Sequence, residues 1–116
     1  MRERFTNAFA VFAFLCVFAV AAFAQGTTSR ITGVVADVAG APIAGATVSL
    51  KQQSTGSVLK TQTSDNGTYV FDLIQAGTYE VTVEKAGFKR FVSSGNAALI
   101  NQPSTVNATL QVGDIS

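Results

Sequence analysis

The sequence predicts an all-β sandwich of seven strands, preceded by an N-terminal signal-peptide helix. Two observations predict the fold. Apolar residues recur at every second position through most of the chain after residue 24, and turn-forming residues interrupt these runs at short, fairly even intervals. A period of two is typical of strands that have one face in a core and one in water. No stretch after residue 24 has a helical period.

The first 24 residues have the three parts of a secretory signal. Arg2 and Arg4 give a positive start, an unbroken apolar run covers residues 8–23, and small residues lead to a cut between Ala24 and Gln25. The alternative is a retained membrane anchor, although the run is shorter than the roughly 20 residues that a spanning helix needs. We therefore expect export, with membrane contact only through the signal peptide.

The composition of residues 25–116 excludes several classes of function. Loss of the signal removes Cys16, the only cysteine, and the whole chain has no histidine. The common nucleophiles, the usual general base and the usual nitrogen and sulfur metal ligands are therefore missing. Glu80 and Glu84 share one strand face but lie about 13 Å apart, too far for a glycosidase pair. We predict no enzyme, no cofactor and no metal site.

The charge of the same residues argues against nucleic acid as a partner. Residues 25–116 contain six basic and six acidic side chains, so the segment is neutral overall. A phosphate-binding surface needs a basic patch.

The predicted organisation is one small domain. We assign a signal peptide to residues 1–24, a short linker to 25–29, the β-sandwich domain to 30–112 and a C-terminal tail to 113–116. The seven strands are predicted at about residues 30–37, 46–53, 58–64, 68–74, 78–85, 88–94 and 104–112. The side chains expected to face inward are Ile31, Gly33 and Val35; Ala46, Val48 and Leu50; Tyr69, Phe71 and Leu73; Tyr79, Val81 and Val83; and Val106, Ala108, Leu110 and Val112.

The segment Asp65-Asn66-Gly67 is predicted to be a structural turn between the third and fourth strands. Asn66 and Gly67 both tolerate the positive φ of a type I′ hairpin turn, and Asp65 can accept hydrogen bonds from the turn backbone. A calcium loop is the alternative. Such loops gather oxygen ligands at alternating positions, and none follows Asn66 in that pattern.

The segment Lys89-Arg90-Phe91 is the candidate contact with a partner. It places two positive charges beside an aromatic ring, directly after Phe88. A spacing of three residues puts Phe88 and Phe91 on opposite faces of a regular strand. We therefore expect one of the two rings to be exposed.

Motifs along most of the chain after the signal resemble one known family. They are Gly33-Val34-Val35 with Asp37, Gly40-Ala41-Pro42 with Gly45-Ala46, Asp65 with Gly67 and Tyr69, Gly77-Thr78-Tyr79, and Gly87-Phe88. In this order and spacing they resemble the carboxypeptidase regulatory-like domain, a transthyretin-like β-sandwich grouped with carbohydrate-binding-like folds. The resemblance implies a non-catalytic module. It also implies that Phe88 closes the core after the turn at Gly87, so that Phe91 is the better candidate for the exposed ring and the partner contact.

This family often follows a signal peptide at the N-terminus of outer-membrane proteins similar to TonB-dependent receptors. We therefore predict an exported interaction or accessory module of the bacterial cell envelope, in the periplasm, in the outer membrane or outside the cell. Its partner is an unidentified protein or glycan. The chain is either free-standing or the front of a longer receptor. A carbohydrate-binding module is the alternative function, although Tyr69 and Tyr79 fall on the inward face and no tryptophan is present.

Overall fold

A computed structural model describes residues 28–113, which form two β-sheets packed face to face. The strands are β1 (Thr28–Asp37), β2 (Thr47–Gln52), β3 (Val58–Gln62), β4 (Thr68–Gln75), β5 (Gly77–Glu84), β6 (Phe91–Ala98), β7 (Ser104–Thr105) and β8 (Ala108–Leu110). The predicted all-β sandwich is confirmed. The predicted signal peptide lies outside the described residues. Within residues 28–113 no helix is long and apolar enough to cross a membrane.

The first sheet is built around β1. β4 pairs with one edge of β1 in antiparallel orientation, and β7 and β8 pair in succession with its other edge in parallel orientation. The second sheet has the order β3-β2-β5-β6, and all its pairings are antiparallel. The first sheet is therefore three strand positions wide, whereas the second is four.

The core lies between the two sheets and follows the alternation predicted from the sequence. The buried apolar side chains are Ile31, Val35, Ile43, Ala46, Val48, Leu50, Tyr69, Phe71, Ile74, Tyr79, Val81, Val83, Ala98, Val106, Ala108 and Leu110. Phe88 and Phe91 pack against this cluster while remaining half-buried. Burial of apolar surface of this kind is the main favourable contribution to folding.

Four predicted strands differ from the observed ones by two residues or more. The third ends at Gln62 instead of residue 64. The last, predicted over residues 104–112, is divided into β7 and β8, because the backbone between them leaves the regular ladder. There Asn107 Oδ1 accepts the hydrogen bond of Val34 N–H at 3.0 Å, in the place of a backbone carbonyl. The sixth strand begins at Phe91 instead of residue 88, since Phe88 forms only an isolated bridge with Val112, and it ends at Ala98 instead of residue 94. The first begins two residues earlier than predicted, at Thr28.

The predicted inward orientation of Leu73 is wrong. A β-bulge in β4 sets Asp72 and Leu73 opposite the single residue Arg30 of β1. The extra residue shifts the alternation by one, so Ile74 is buried and Leu73 is 77% exposed. Val112, also predicted to face inward, lies beyond β8 and is exposed.

Candidate functional site

A cleft opens between the edge strand of the second sheet, β3, and the edge strand of the first, β4. We call it the β3–β4 cleft; its volume is about 400 Å³. It is lined by Leu50, Gln52, Thr55, Ser57, Leu59, Leu73, Ile74, Gln75 and Tyr79. None of these side chains is charged, so the cleft suits an uncharged, partly apolar ligand.

The different widths of the two sheets explain why this cleft exists. Leu59 pairs in register with Leu50, and both side chains therefore lie on the inner face of the second sheet. Leu50 is fully buried, but Leu59 is 48% exposed, because the narrower first sheet does not extend beneath β3. The inner face of β3 thus remains partly uncovered.

Leu73 stands at the opposite side of the cleft in a costly conformation. Its φ is 52°, in the left-handed region, which costs a residue other than glycine about 1 to 2 kcal/mol. Asp72 Oδ1 accepts the hydrogen bond of Leu73 N–H at 3.0 Å and holds the bulge. The Leu73 side chain nonetheless lies mostly in water. Sequence reasoning missed this site because it assumed regular alternation, and no turn residue at position 73 signals the bulge.

The polar groups at the floor of the cleft are neutral. Tyr79 Oη donates a hydrogen bond to the carbonyl oxygen of Gln75 at 2.6 Å, and burial raises the pKa of Tyr79 above its ordinary value. Thr55 Oγ1 donates to Gln52 Oε1 at 3.2 Å. These groups can orient a ligand by hydrogen bonding. Within residues 28–113 no three His, Cys, Asp or Glu side chains are grouped so as to hold a metal ion.

The predicted partner contact, Lys89-Arg90-Phe91, lies at the other side of the sandwich. Arg90 Nε forms an exposed ion pair with Glu84 Oε1 at 3.2 Å. Phe91 pairs with Val83 at the start of β6 and is half-buried against the core, so it is not the freely exposed ring that the sequence suggested. The three residues line a separate shallow cleft of about 310 Å³ with Val92, Thr109 and Gln111.

The segment Asp65-Asn66-Gly67 forms a three-residue loop, not the predicted type I′ turn. Thr68 C=O accepts from Ser64 N–H at 2.9 Å, and Ser64 C=O accepts from Gly67 N–H at 2.9 Å. Gly67 has a φ of 75°, while Asn66 does not have a positive φ. The loop carries the chain from the second sheet to the first, so β3 and β4 are not hairpin partners.

The side-chain acceptor in this loop is Ser64 and not Asp65. Ser64 Oγ accepts from Thr68 N–H at 3.3 Å and lies 2.7 Å from Thr68 Oγ1. Asp65 is exposed and forms no hydrogen bond within the described residues. Gly67 is buried, and its carbonyl accepts from Val35 N–H at 2.8 Å, which fixes the loop to β1.

Glu80 and Glu84 lie on the outer face of the second sheet, as their alternation predicts. They border a shallow depression of about 300 Å³ together with Lys51, Lys60 and Arg90 and with hydroxyl side chains of β2 and β5. Lys51 and Glu80 are direct cross-strand neighbours. Their head groups form no ion pair within the described residues, and Glu80 Oε2 instead accepts from Ser94 Oγ at 3.2 Å.

Comparisons with known proteins agree with this architecture. A family model described as the carboxypeptidase regulatory-like domain matches residues 30–111. No curated protein matches the chain. Among solved structures, the major pilin SpaD from Corynebacterium diphtheriae has 19% identity and a TM-score of 0.55, with 73% of this chain and 30% of the pilin covered.

Two further structures share the fold at low identity. A putative carbohydrate binding protein from Bacteroides uniformis has 18% identity and a TM-score of 0.60, over 73% of this chain and 42% of that protein. The 3-chlorocatechol 1,2-dioxygenase from Rhodococcus opacus 1CP has 15% identity and a TM-score of 0.59, over 76% of this chain and 61% of the enzyme. The chain therefore spans 30% to 61% of the length of these three proteins.

The similarity to dioxygenases contradicts one prediction made from the sequence. We predicted that the chain is not an enzyme, and that prediction is contradicted by the presence of this fold in the chlorocatechol dioxygenase and in a hydroxyquinol 1,2-dioxygenase from Pseudomonas putida DLL-E4. At identities of 15% and 8% the likeness concerns the fold alone.

Proposed function

We propose a function from the premise that this chain belongs to the carboxypeptidase regulatory-like domain family. The chain acts as an exported interaction module of the bacterial cell envelope, and it serves as the N-terminal part of an outer-membrane protein similar to TonB-dependent receptors. The fold it shares with a pilin and a putative carbohydrate binding protein supports an accessory role within a longer protein. The signal-like pattern of residues 1–24 supports export.

The exposure of Leu73 is the observation that supports the interaction role most strongly. A leucine with positive φ and 77% exposure costs conformational energy and buries little apolar surface in return. Strain that the fold does not need is often kept at binding sites. Together with Leu59 across the β3–β4 cleft, Leu73 offers a partner an apolar contact of defined shape.

Site-specific photo-crosslinking in the native envelope tests this role. A photoreactive amino acid at position 73 of the full chain is expected to give one defined crosslinked product in the envelope fraction. Position 38 is the matched control, because Val38 is similarly exposed at 71% but lies in the turn after β1, away from the cleft. Equal products from both positions, or recovery of the protein in the cytoplasm, would contradict the proposal.

Carbohydrate binding is a second candidate, supported by the depression on the outer face of the second sheet. Its hydroxyl, ammonium and carboxylate groups can donate to and accept from sugar hydroxyls. The aromatic side chains are less suitable, since Tyr69 and Tyr79 are buried and Phe91 is half-buried.

A glycan array tests the carbohydrate candidate. Saturable binding that is lost on Glu80→Gln would place the sugar on the outer face. Loss on Phe91→Ala would instead support the Lys89-Arg90-Phe91 contact. An array without saturable binding would reject both sugar sites.

A further inference from the structure

The strands at the edges of the two sheets differ in their protection against pairing with another chain. β3 has Lys60 at its centre, and β7 and β8 are only two and three residues long. β6 contains a register irregularity opposite Tyr79 and Val81. Lysines, bulges and short strands are the usual devices that block edge pairing. β4 also has a bulge, at Asp72 and Leu73, but it has eight residues and no lysine, arginine or proline, and it is regular from Thr68 to Phe71.

The register of β4 identifies the backbone groups on its free edge. Val35 N–H donates to Gly67 C=O, so the pairs Gly33–Tyr69 and Ile31–Phe71 continue the hydrogen-bonded series. By alternation, the N–H and C=O of Val70 and the N–H of Asp72 point away from β1. Within residues 28–113 β4 pairs with no strand other than β1, and none of these three groups forms a backbone hydrogen bond outside the strand ladders. They can therefore bind an added strand, as in β-augmentation.

The loop before β4 argues against a second copy of this chain as the added strand. A symmetric antiparallel pair of β4 strands centred on Val70 would set Asp72 N–H of one copy opposite Thr68 C=O of the other. That carbonyl already accepts from Ser64 N–H, and Ser64 occupies the position beside Thr68 that the second strand would need. The free edge is open only from Val70 toward Leu73, which suits a short strand from another protein.

The side chains around this edge define the chemistry of the partner. An added strand beside β4 would lie beneath the uncovered inner face of β3, so its inward side chains would enter the β3–β4 cleft between Leu59 and Leu73. That cleft is uncharged and favours apolar side chains there. On the outer face, Asp72 is the one charged side chain of β4. Arg30 of β1 lies opposite it but forms no ion pair with it within residues 28–113, so Asp72 still favours a basic residue in the added strand.

We propose that an extended peptide segment of a partner protein pairs with the free edge of β4 at Val70 and Asp72. It inserts an apolar side chain between Leu59 and Leu73 and places a basic side chain opposite Asp72. This rests on the proposed interaction role and names the partner chemistry of the same cleft.

Selection of peptides on the protein tests the proposal. A library of random heptapeptides displayed on phage is selected on the protein purified from the envelope, with Val70→Pro as the comparison target. Proline at an edge position removes the outward N–H without removing a bond to β1. Enriched peptides are expected to combine alternating apolar residues with a basic residue. They should bind wild type at least about tenfold more tightly than Val70→Pro, because a buried hydrogen bond is lost.

Two measurements make the result independent of any folding defect in Val70→Pro. Asp72→Asn, which keeps the shape of the edge, should weaken the selected peptides about three- to tenfold by removing one charge pair. In the wild-type amide spectrum, an enriched peptide should slow exchange at Val70 and Asp72, and N-methylation of its pairing amides should abolish this effect. No enrichment, protection at β3 or β6 instead, or equal binding to all variants would overturn strand pairing. A position-73 crosslink that survives such a result would leave the interaction role itself intact.

Discussion

The hydroxyl group of Tyr69 donates a hydrogen bond of 2.5 Å to the carbonyl oxygen of Val106 in the core of the sandwich. Gly33 makes this contact possible, because a Cβ at position 33 would collide with that carbonyl oxygen and with the Tyr69 ring. The bond links β4, across β1, to the segment between β7 and β8. It also turns the Val106 carbonyl inward, which explains why the last predicted strand is interrupted there.

Alkaline unfolding should report on this buried hydroxyl. Burial raises the pKa of Tyr69 to about 12 from 10.0. As the pH rises, the unfolded chain therefore loses this proton before the folded chain does. The stabilisation of the fold by the protonated Tyr69 hydroxyl is complete below pH 10 and is lost as the pH rises from 10 to 12. We expect the free energy of unfolding to fall by roughly 2 to 3 kcal/mol over that interval. Tyr69→Phe should be about 1 kcal/mol less stable at pH 7 and show a shallower fall, measured by urea unfolding. Equal pH profiles would contradict this role.

Substitutions at two glycines with nearly the same φ distinguish the cost of backbone strain from the cost of a steric clash. Gly67 and Gly56 have φ values of 75° and 76°. A Cβ at Gly67 would lie 2.5 Å from the Val35 carbonyl oxygen, whereas a Cβ at Gly56 would meet nothing within 4 Å. Gly56→Ala should cost about 1 kcal/mol of stability, and Gly67→Ala about 2 to 4 kcal/mol, with Gly67→Val at least as costly. Equal losses in urea unfolding would show that the contact with β1 is unimportant.

The loop before β4 predicts a difference between Ser64 and Asp65. Ser64→Ala removes the side-chain acceptor of Thr68 N–H and should cost about 0.5 to 1 kcal/mol. Asp65→Asn should stay within about 0.5 kcal/mol of wild type, because Asp65 is exposed and unbonded in the described loop. Thermal unfolding with calcium and with chelator should give coincident curves. A rise of several degrees with calcium, lost in Asp65→Asn, would identify Asp65 as a ligand instead.

The alternation of apolar and polar residues predicted most of the fold. It fixes which face of each strand is buried, because a shift of one residue in register would move all the apolar side chains of that strand from the core to the surface. Ile31, Val48 and Val81 are buried as expected. Leu73 could not be predicted, since a bulge adds one residue without a glycine to mark it.

The alternation of apolar residues also could not predict which strands pair with one another in each sheet. Asn66-Gly67 is a strong local hairpin signal, yet β3 and β4 separate into different sheets directly after the loop. Local turn chemistry sets the loop, whereas the choice of neighbouring strand depends on packing of the whole domain. The β3–β4 cleft depends on both the sheet widths and the bulge, so no single motif predicts it.

The stability of Leu73→Asn tests the central claim, that Leu73 is kept for a partner and not for the fold. Asparagine tolerates the left-handed conformation better than leucine, and the Leu73 side chain buries little surface. In urea unfolding we expect the variant to be as stable as wild type or up to about 1 kcal/mol more stable. A loss of about 1 kcal/mol or more would show that Leu73 supports the fold, and would contradict the account.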